Sequence, residues 1–504
     1  MNNLSKSRYT RYCQCAKSLW LQVHKPEEAV VDAATQARFE SGNEVGDLAM
    51  SLFGDYVEVT TKHEDGSLDL SAMIEKTRAC IENGTNIICE ASFSIDGNYC
   101  AVDVLRKTDE GYAIYEVKSS SFPELDGKEV KLEKYAPDIA YQKWVLTQCG
   151  IKVTGTYLVC LNSDYRLNGD LDVQKLFVII DMADLVANEL AGLPERVVDA
   201  MRILQQSEEP AIEISASCNK PYPCAFWAYC TKHIPNPSVF NLYRMKLADK
   251  LELYRQGFVT YEDVRSHDLK PIHRTQVECT LQQKQYIDVD GIHGFLDTLS
   301  YPLFFLDFET MQPAIPLYQG TKPYQQIPFQ YSLHIIDKEG GELQHCEHLG
   351  ISGTDTRRLL AEHLCDDIPK DVCTLAYNKK FECGRIKEMA EAFPDLADHL
   401  MNIHDNILDL LDPFQAGYYY LPAMGGSFSI KSVLPALFPD DPELNYHNLD
   451  CRVQNGGDAM TIFPRIKDMP IDEQLETRKA LLAYCCLDTL AMVKLWEKLK
   501  DAVK

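Results

Sequence analysis

The sequence predicts an α/β protein with more than one domain, and three observations support this prediction. The chain has 504 residues, more than one hydrophobic core usually accommodates. Strand-like apolar runs alternate with helix-like amphipathic stretches towards both ends, an order typical of α/β folds. A turn-rich break followed by a helical stretch separates the two ends. We therefore predict an α/β domain at 1–235, a helical connector at 236–298 and a second α/β domain at 299–504.

The composition indicates a globular protein of the cytoplasm. Hydrophobic residues make up 45% and charged residues 25% of the chain, as in ordinary soluble domains. No run reaches the roughly 18 apolar residues that a membrane helix needs. The N-terminal residues contain no apolar signal core, so we expect a cytoplasmic protein whose 18 cysteines stay reduced.

The elements of the first domain follow from local patterns. After a helix-like N-terminal stretch, residues 87–104 and 112–119 are two strand-like runs on either side of a turn-rich Thr-Asp-Glu-Gly. Helical spacing predicts a helix over 138–148, and 155–162 is strand-like. The sequence Ile-Pro-Asn-Pro at 234–237 ends these patterns and predicts the domain boundary.

Asp103, Glu116 and Lys118 form the first candidate site. Strand alternation puts Glu116 and Lys118 on one face, and a neighbouring strand can bring Asp103 beside them. Two carboxylates about 5 Å apart repel by roughly 3 kcal/mol at an effective dielectric near 20, so they favour a divalent cation between them. The lysine can then orient water or stabilise charge that develops during attack at phosphorus.

This part of the chain resembles the RecB-like branch of the PD-(D/E)XK nuclease superfamily. Five residues match the order of its motifs: Glu90, Asp103, Glu116, Lys118 and Gln142. The resemblance implies a magnesium- or manganese-dependent nuclease fold in which the three acids hold metal and the lysine and glutamine complete the catalytic set. Two positions depart from the family, because Gly46 stands in place of a histidine and Leu146 in place of a tyrosine.

Three cysteines are evenly spaced in a short segment that contains two prolines: Cys218, Cys224 and Cys230. A tetrahedral zinc ion or a 4Fe-4S cluster needs a fourth thiolate. Cys15 is the predicted donor, Cys13 is the alternative, and spacing alone does not separate zinc from iron and sulfur. The arrangement resembles the iron-sulfur RecB-like nucleases, in which a distant N-terminal cysteine joins three that follow the nuclease core. This resemblance implies a 4Fe-4S cluster that clamps the two ends of the domain.

The connector and the last domain are also predicted from periodicity. Apolar and aromatic residues recur at helical spacing in the connector: Phe240, Tyr243, Leu247, Leu251 and Tyr254. The last domain begins with a strand-like run at 302–308 and ends with a helix-like run at 475–500. Strand and helix signals alternate between them, which predicts a second α/β fold.

The last domain contains a second set of acids. Asp307 and Glu309 lie two residues apart in an apolar strand and so share a face, and buried strands rarely carry such a pair without a cation. Tyr484 and Asp488 lie four residues apart in a predicted helix and also share a face. The aspartate can bind metal, and the tyrosine can position attacking water.

Together with Glu382, in Asn-Lys-Lys-Phe-Glu at 378–382, these residues resemble the DEDDy exonucleases of the RNase H-like superfamily. The resemblance implies a second magnesium or manganese site, held by Asp307, Glu309, Glu382 and Asp488, and 3′ to 5′ polarity. Glu382 departs from the family's usual aspartate. The segment Gly-Ser-Phe-Ser-Ile-Lys-Ser-Val-Leu at 426–434 also resembles the family. As a whole, the chain resembles an uncharacterised bacterial family that combines an iron-sulfur RecB-like domain with a DEDD-like domain.

The formal net charge of −25 argues against a surface that coats nucleic acid generally, because phosphate contacts need lysine and arginine. A local basic channel is sufficient for a nuclease, and carboxylates are what metal sites are built from. The leading hypothesis is a DNA exonuclease with two sites that acts on single-stranded ends in repair, recombination or defence against mobile DNA, with RNA as an alternative substrate.

Two other hypotheses remain open. In one, only the C-terminal site cleaves, and the RecB-like half is a nucleic-acid-binding platform, which Gly46 and Leu146 motivate. In the other, the protein is a noncatalytic scaffold, which the acidic surface and Glu382 motivate.

Overall fold

The computed structural model describes residues 3–31, 33–123 and 131–504. The chain is a mixed α/β protein that divides into two compact units. Unit 1 consists of Met1–His233 and Pro313–Gln325, and unit 2 consists of Ile234–Gln312 and Gln326–Lys504. The predicted boundary at 235 falls close to this division, and the predicted connector belongs to unit 2.

Unit 1 contains a seven-stranded sheet in the order β2-β3-β4-β5-β6-β7, with β1 paired to β4. Its strands are β1 (Leu4–Ser5), β2 (Val57–Glu58), β3 (Ile87–Ile95), β4 (Asn98–Thr108), β5 (Gly111–Phe122), β6 (Val153–Asn162) and β7 (Phe177–Asp181). The prediction of one strand over 87–104 is wrong. Asp96 and Gly97 both have positive φ, 47° and 76°, which makes the two-residue turn of a β-hairpin between β3 and β4.

Unit 1 also contains helices, several of which pack against this sheet. They are α1 (Lys6–Gln14), α2 (Ala16–His24), α3 (Ala33–Ala49), α4 (Leu70–Glu82), α5 (Ala136–Gln148), α6 (Val173–Leu176), α7 (Ala183–Leu190), α8 (Leu193–Gln205) and α9 (Trp227–Thr231). The predictions of a helix over 138–148 and a strand over 155–162 are confirmed by α5 and β6. Helix α5 buries Ile139, Ala140 and Leu146 in the core of the unit, which fixes the direction in which its polar residues point.

A segment far along the chain completes unit 1. Pro313–Gln325 follows a strand of unit 2 but belongs to unit 1. Leu167 N donates to Thr321 O (2.9 Å), and Gly320 N donates to Leu167 O (2.7 Å). The hydroxyl of Tyr324 donates to Ser119 O (2.7 Å). The sequence predicted domains made of one continuous segment each, so it did not predict that Pro313–Gln325 belongs to unit 1.

Unit 2 contains a five-stranded sheet in the order β11-β10-β9-β12-β13 and a small sheet that pairs β14 with β8. Its strands are β8 (Tyr286–Ile287), β9 (Leu303–Met311), β10 (Ile327–Ile336), β11 (Gln344–Leu349), β12 (Cys373–Ala376), β13 (Ile407–Asp409) and β14 (Tyr419–Tyr420). Strands β9, β10 and β11 are antiparallel neighbours, whereas β12 runs parallel to both β9 and β13. The predicted strand over 302–308 is confirmed by β9.

The helices of unit 2 include the helical stretch predicted as a connector. They are α10 (Leu247–Arg255), α11 (Tyr261–Val264), α12 (Pro271–Gln282), α13 (Val289–Leu296), α14 (Arg357–Asp367), α15 (Lys380–Ala392), α16 (Ala397–Asp405), α17 (Asp412–Gln415), α18 (Ile430–Leu437), α19 (Gly456–Ile462) and α20 (Ile471–Ala502). Helix α20 confirms the prediction over 475–500. It contacts β9 and β10, and Gln330 Nε2 donates to Leu481 O (2.9 Å). Across the described ranges, the model contains no helix both long enough and apolar enough to cross a membrane.

Candidate active sites

Three acids of unit 1 lie in a row across neighbouring strands. On β3 and β4 the pairs Cys89 with Val104 and Ala91 with Val102 flank Glu90 and Asp103, and Asp103 and Glu116 each adjoin the pair Val104 and Tyr115 on β4 and β5. Residues opposite each other on adjacent strands point to the same face. Glu116 is completely buried. Glu90 has a left-handed φ of 57°, a conformation that is uncommon for residues other than glycine and is concentrated at functional sites.

Two lysines lie against these acids. Lys118 Nζ donates to Glu116 Oε1 (2.6 Å) and to Asp138 Oδ2 (2.7 Å). Lys6 Nζ lies 3.1 Å from Asp103 Oδ1 and 3.1 Å from both Glu116 oxygens. The sequence predicted Lys118 but missed Lys6 and Asp138. Asp138 precedes Gln142 by four residues on α5, so its helical spacing could have revealed it.

Gln142 joins the same network from α5. Its Nε2 donates to Glu116 Oε2 (2.7 Å) and to Asp138 Oδ1 (3.2 Å). Its Oε1 is buried and accepts no hydrogen bond from any residue that the structure describes. Asp103 Oδ2 accepts from Val117 N (2.7 Å). The fold therefore brings the predicted residues of this site together, and Gln142 Oε1 lies beside them without a hydrogen bond from any described residue.

Burial and charge shift several pKa values in this cluster. Burial raises the pKa of Glu90 to about 7, and the negative charge of Asp103 contributes. Burial alone would lower the pKa of Lys6, but the carboxylates of Asp103, Glu116 and Asp138 raise it well above its ordinary value. Lys6 therefore stays charged and neutralises carboxylates that would otherwise repel one another.

The four predicted cysteines line one pocket of unit 1: Cys15, Cys218, Cys224 and Cys230. Cys15 lies at the start of α2. Burial raises the pKa of its thiol, the backbone N–H groups of Lys17 and Ser18 oppose this, and Cys218 and Cys224 raise it further.

The pKa of Cys230 also indicates that the four cysteines lie close together. Burial raises its pKa to about 11, Lys17 acts in the opposite direction, and the other three cysteines of the pocket add to the rise. Cys13 is exposed and is absent from the lining of this pocket. The geometry therefore favours Cys15 as the partner of the three later cysteines.

Unit 2 gathers four acids from three elements: Asp307 and Glu309 from β9, Glu382 from α15, and Asp488 from α20. All except the partly buried Asp307 are buried. The carboxylate oxygens of Asp307 and Glu309 and the Sγ of Cys485 lie within 4.8 Å of one another. Cys485 was not predicted, although it directly follows the predicted Tyr484.

Mutual repulsion is strong at this carboxylate centre. Burial and the charges of Asp488, Glu309 and Glu382 raise the pKa of Asp307 well above its ordinary value. Burial and the charge of Asp488 do the same for Glu309. Burial raises the pKa of Glu382 to about 8 and that of Asp488 to about 6. The centre is thus a group of acids with too little positive charge to balance it.

Two tyrosines and one lysine lie beside Asp488. The hydroxyl of Tyr446 donates to Asp488 Oδ1 (2.5 Å). The rings of Tyr446 and Tyr484 are 6.1 Å apart, and Lys431 Nζ lies 5.1 Å and 5.0 Å from their centroids. Both hydroxyls and Lys431 oppose the rise in the pKa of Asp488. Tyr446 and Lys431 were missed individually, although Lys431 lies in the segment at 426–434 noted above.

Glu382 and Asp409 have different roles at the start of α15. Asp409 accepts from the backbone N–H groups of Asn378 (2.8 Å), Lys379 (3.1 Å) and Leu411 (3.0 Å). Glu382 Oε2 is buried, and no described residue donates a hydrogen bond to it. Asp409 therefore holds the backbone, whereas Glu382 keeps an oxygen free to bind a cation.

Part of the chain, mostly within unit 2 but including Pro313–Gln325 of unit 1, is similar to a known family model. Residues 304–429 match a family model described as "Domain of unknown function (DUF2779)". This span includes Asp307, Glu309 and Glu382 and ends before Asp488.

Several curated bacterial proteins are similar to part of the chain. An uncharacterised protein of Ureaplasma parvum is 29% identical over 255 residues, which cover 46% of this chain and 36% of that protein. An uncharacterised protein of Mycoplasma genitalium is 26% identical over 216 residues, covering 40% of this chain and 32% of that protein. A homologue in Mycoplasma pneumoniae is 24% identical over 213 residues, with the same coverage of 40% and 32%. The chain therefore spans about a third of the length of these relatives.

Proposed function

We propose that the chain is a metal-dependent nuclease, a DNA exonuclease with two phosphodiester-cleaving sites, in repair, recombination or defence against mobile DNA. One observation carries the proposal: four carboxyl groups, three of them buried and one partly buried, converge in unit 2 with raised pKa values and little compensating positive charge. Burying such groups without a partner is costly. Carboxylates arranged in this way are suited to hold magnesium or manganese.

The residues around this centre fit phosphodiester hydrolysis. Asp307, Glu309, Glu382 and Asp488 would hold magnesium or manganese, and Glu382 Oε2 has no other partner among the described residues. The bound metal supplies positive charge that activates water and stabilises the leaving oxygen. Tyr484 would position water beside Asp488, and the exposed Lys431 would pair with a substrate phosphate. The RNase H-like, DEDD-type fold of unit 2 and the 3′ to 5′ polarity are proposed from the resemblance of these residues to the DEDDy exonucleases.

The cluster in unit 1 supports a PD-(D/E)XK-type site. Glu90, Asp103 and Glu116 form the row of acids, and Lys118 is held by Glu116 so that its ammonium can stabilise charge on a phosphate. Lys6 lies between Asp103 and Glu116, so a cation at that point would have to displace its ammonium group. This contact favours a second candidate function for unit 1, that of a nucleic-acid-binding platform beside one active exonuclease site.

The four cysteines that line one pocket can hold a 4Fe-4S cluster or a zinc ion. The resemblance to the iron-sulfur RecB-like nucleases favours the cluster. A cluster held by Cys15, Cys218, Cys224 and Cys230 would supply a covalent clamp between the start and the end of the main segment of unit 1. Anaerobic protein that binds stoichiometric zinc and shows no visible iron-sulfur absorbance would contradict this assignment.

The experiment that tests the function uses DNA and RNA labelled at the 5′ or 3′ end, in single- and double-stranded forms. Anaerobically purified full-length protein is assayed with magnesium, manganese or chelator. We expect metal-dependent shortening of DNA from the 3′ end, lost in Asp488→Asn and retained in Asp472→Asn, an exposed acid on the same helix. Failure to degrade any substrate with any divalent ion would instead support a noncatalytic scaffold.

A further inference from the structure

Strands β10 and β11 bring two histidines together outside the carboxylate centre. Their antiparallel register pairs His334 directly with His345, and directly paired residues share a face of the sheet. The two imidazole rings lie with their centroids 4.5 Å apart. His334 is buried, whereas His345 is on the edge strand and is exposed.

Helix α20 adds a thiol to this pair. A ring nitrogen from His334, a ring nitrogen from His345 and the Sγ of Cys486 all lie within 4.8 Å of one another. A zinc site with bond lengths of about 2.0–2.3 Å needs donors that lie about 3.3–3.8 Å apart. Small rotations of side chains would bring these three donors to that separation.

The surroundings resemble those of metal-binding histidines. His334 Nδ1 lies 2.7 Å from Thr489 Oγ1, and His345 Nε2 lies 2.9 Å from Ser332 Oγ. Histidines that ligate a metal ion usually have their other ring nitrogen fixed by such a hydrogen bond. The two hydroxyls also contact each other at 2.7 Å, so both imidazoles are oriented by one connected network.

A fourth donor is close at hand. Glu347 lies two residues after His345 on β11 and therefore on the same face. Its Oε2 lies 3.9 Å from His345 Nε2, the nitrogen that Ser332 holds, so a change of its side-chain rotamer would be needed to bring the carboxylate to an ion on the other ring nitrogen.

We propose that His334, His345 and Cys486, with Glu347 as the fourth donor, form a site for a zinc-class transition-metal ion. The donor set of two nitrogens, one sulfur and one oxygen suits zinc and does not suit magnesium. The site is distinct from the carboxylate centre because Cys486 and Thr489 belong to it, whereas Cys485 and Asp488 belong to that centre. A bound ion would join edge strand β11 to α20, the helix that carries Asp488.

The test is a zinc count on the full-length chain. Protein is stripped with chelator, incubated with zinc chloride and desalted, and the bound zinc per chain is measured. We expect His345→Ala and Cys486→Ser to bind one zinc ion fewer than the wild type. His293→Ala and Cys365→Ser, which lie away from the cluster, should bind the wild-type amount. Zinc held at the cysteine pocket or the carboxylate centre is the same in wild type and variant, so it cancels in the difference between their zinc contents.

A second variant separates metal loss from misfolding. His345 is exposed, so we expect His345→Ala to fold, as checked by circular dichroism. His345→Cys supplies another zinc ligand at this position and should restore the lost ion. Unchanged zinc content in both His345→Ala and Cys486→Ser would overturn the proposal, and so would a loss of zinc that His345→Cys fails to restore.

Discussion

Glu309 is an acid that the fold buries beside other acids. Burial and the negative charge of Asp488 raise its pKa well above the ordinary value, with Lys431 only partly opposing. An ionised carboxylate in such a place destabilises the folded chain unless a cation is bound. Residues of this kind are typical of functional sites, where stability is given up for chemistry.

Replacing Glu309 with glutamine should therefore stabilise the metal-free protein while abolishing its activity. The amide keeps the size of the side chain and removes the charge that repels Asp488. We expect the thermal midpoint in chelator to rise by about 3 °C, the effect of roughly 1 kcal/mol in a unit of this size, as measured by calorimetry. Glu473→Gln, at an exposed position on α20, should change neither property. A lower midpoint for Glu309→Gln would show that the carboxylate is not under repulsive strain.

Lys6 is the residue that holds the acids of unit 1 together in the absence of metal. Its ammonium lies 3.1 Å from both Asp103 and Glu116. No spacing in the sequence connects Lys6 to acids about a hundred positions away, so its role could not be predicted. Removing one partner of a buried charge cluster leaves uncompensated charge, at a cost of about 3–5 kcal/mol in fully buried cases and less here.

Lys6→Met should therefore destabilise unit 1 in chelator by about 1–3 kcal/mol. Manganese should restore most of the lost stability, because the freed acids can bind the ion. Denaturant unfolding with and without manganese measures both effects. Lys152→Met is the matched control, because Lys152 and Glu110 form an exposed pair that contributes little. If manganese stabilised Lys6→Met no more than wild type, Lys6 would not be competing with a metal ion.

At the scale of elements, periodic and apolar runs were predictable and long-range pairings were not. Strand β9 was predicted from a strand-like apolar run and helix α20 from a helix-like run. The turn at Asp96 and Gly97 was missed because strand-like residues continue on both sides of it. Pro313–Gln325 could not be assigned to unit 1 because the hydrogen bonds that hold it, such as that of Leu167 to Thr321, depend on the complete fold.

The same limit applies to the candidate sites. Strand and helix periodicity placed Asp307 with Glu309 and Tyr484 with Asp488, because each pair belongs to one element. The partners contributed by other elements, Tyr446 among them, have no fixed spacing to these residues. Packing of the elements brings them together, and packing is not encoded in local patterns.

Strand β9 and helices α15 and α20 should make the stability of the metal-free protein depend on pH. The acids that they bring together have raised pKa values, about 8 for Glu382 and about 6 for Asp488. In the unfolded chain the same groups lose their protons near pH 4, so the folded state holds more protons between about pH 4 and pH 8. Stability from these groups is therefore present at low pH and is lost as the pH rises through that window.

We expect the thermal midpoint in chelator to fall by about 10 °C between about pH 5 and pH 8. The decrease should be smaller in Glu309→Gln and smaller in wild type with magnesium or manganese. Differential scanning calorimetry at constant ionic strength measures this decrease. Other titrating groups contribute equally to wild type and variant, so their effect cancels in the difference between the two. A wild-type midpoint that increased more steeply with pH than that of Glu309→Gln would contradict the prediction.

At the scale of the whole molecule, each compact unit has its own acidic centre in a chain of net charge −25. In unit 1 the acids are paired with Lys6 and Lys118. In unit 2 the acids repel one another, and the positive charge of Lys431 only partly opposes the rise in the pKa of Glu309 and of Asp488. The two centres should therefore differ in metal dependence, with that of unit 2 having the greater need for a bound cation.

The proposal of two separate cleaving sites is tested by comparing Lys118→Ala, Asp488→Asn and the double variant on end-labelled DNA with manganese. We expect each single variant to lose one class of products and keep the other, and the double variant to cleave nothing. Lys107→Ala, at an exposed position on β4, should match the wild type. Cleavage by the double variant at the wild-type rate would show that neither site cleaves, whereas complete loss in Asp488→Asn alone would leave unit 1 as a binding platform.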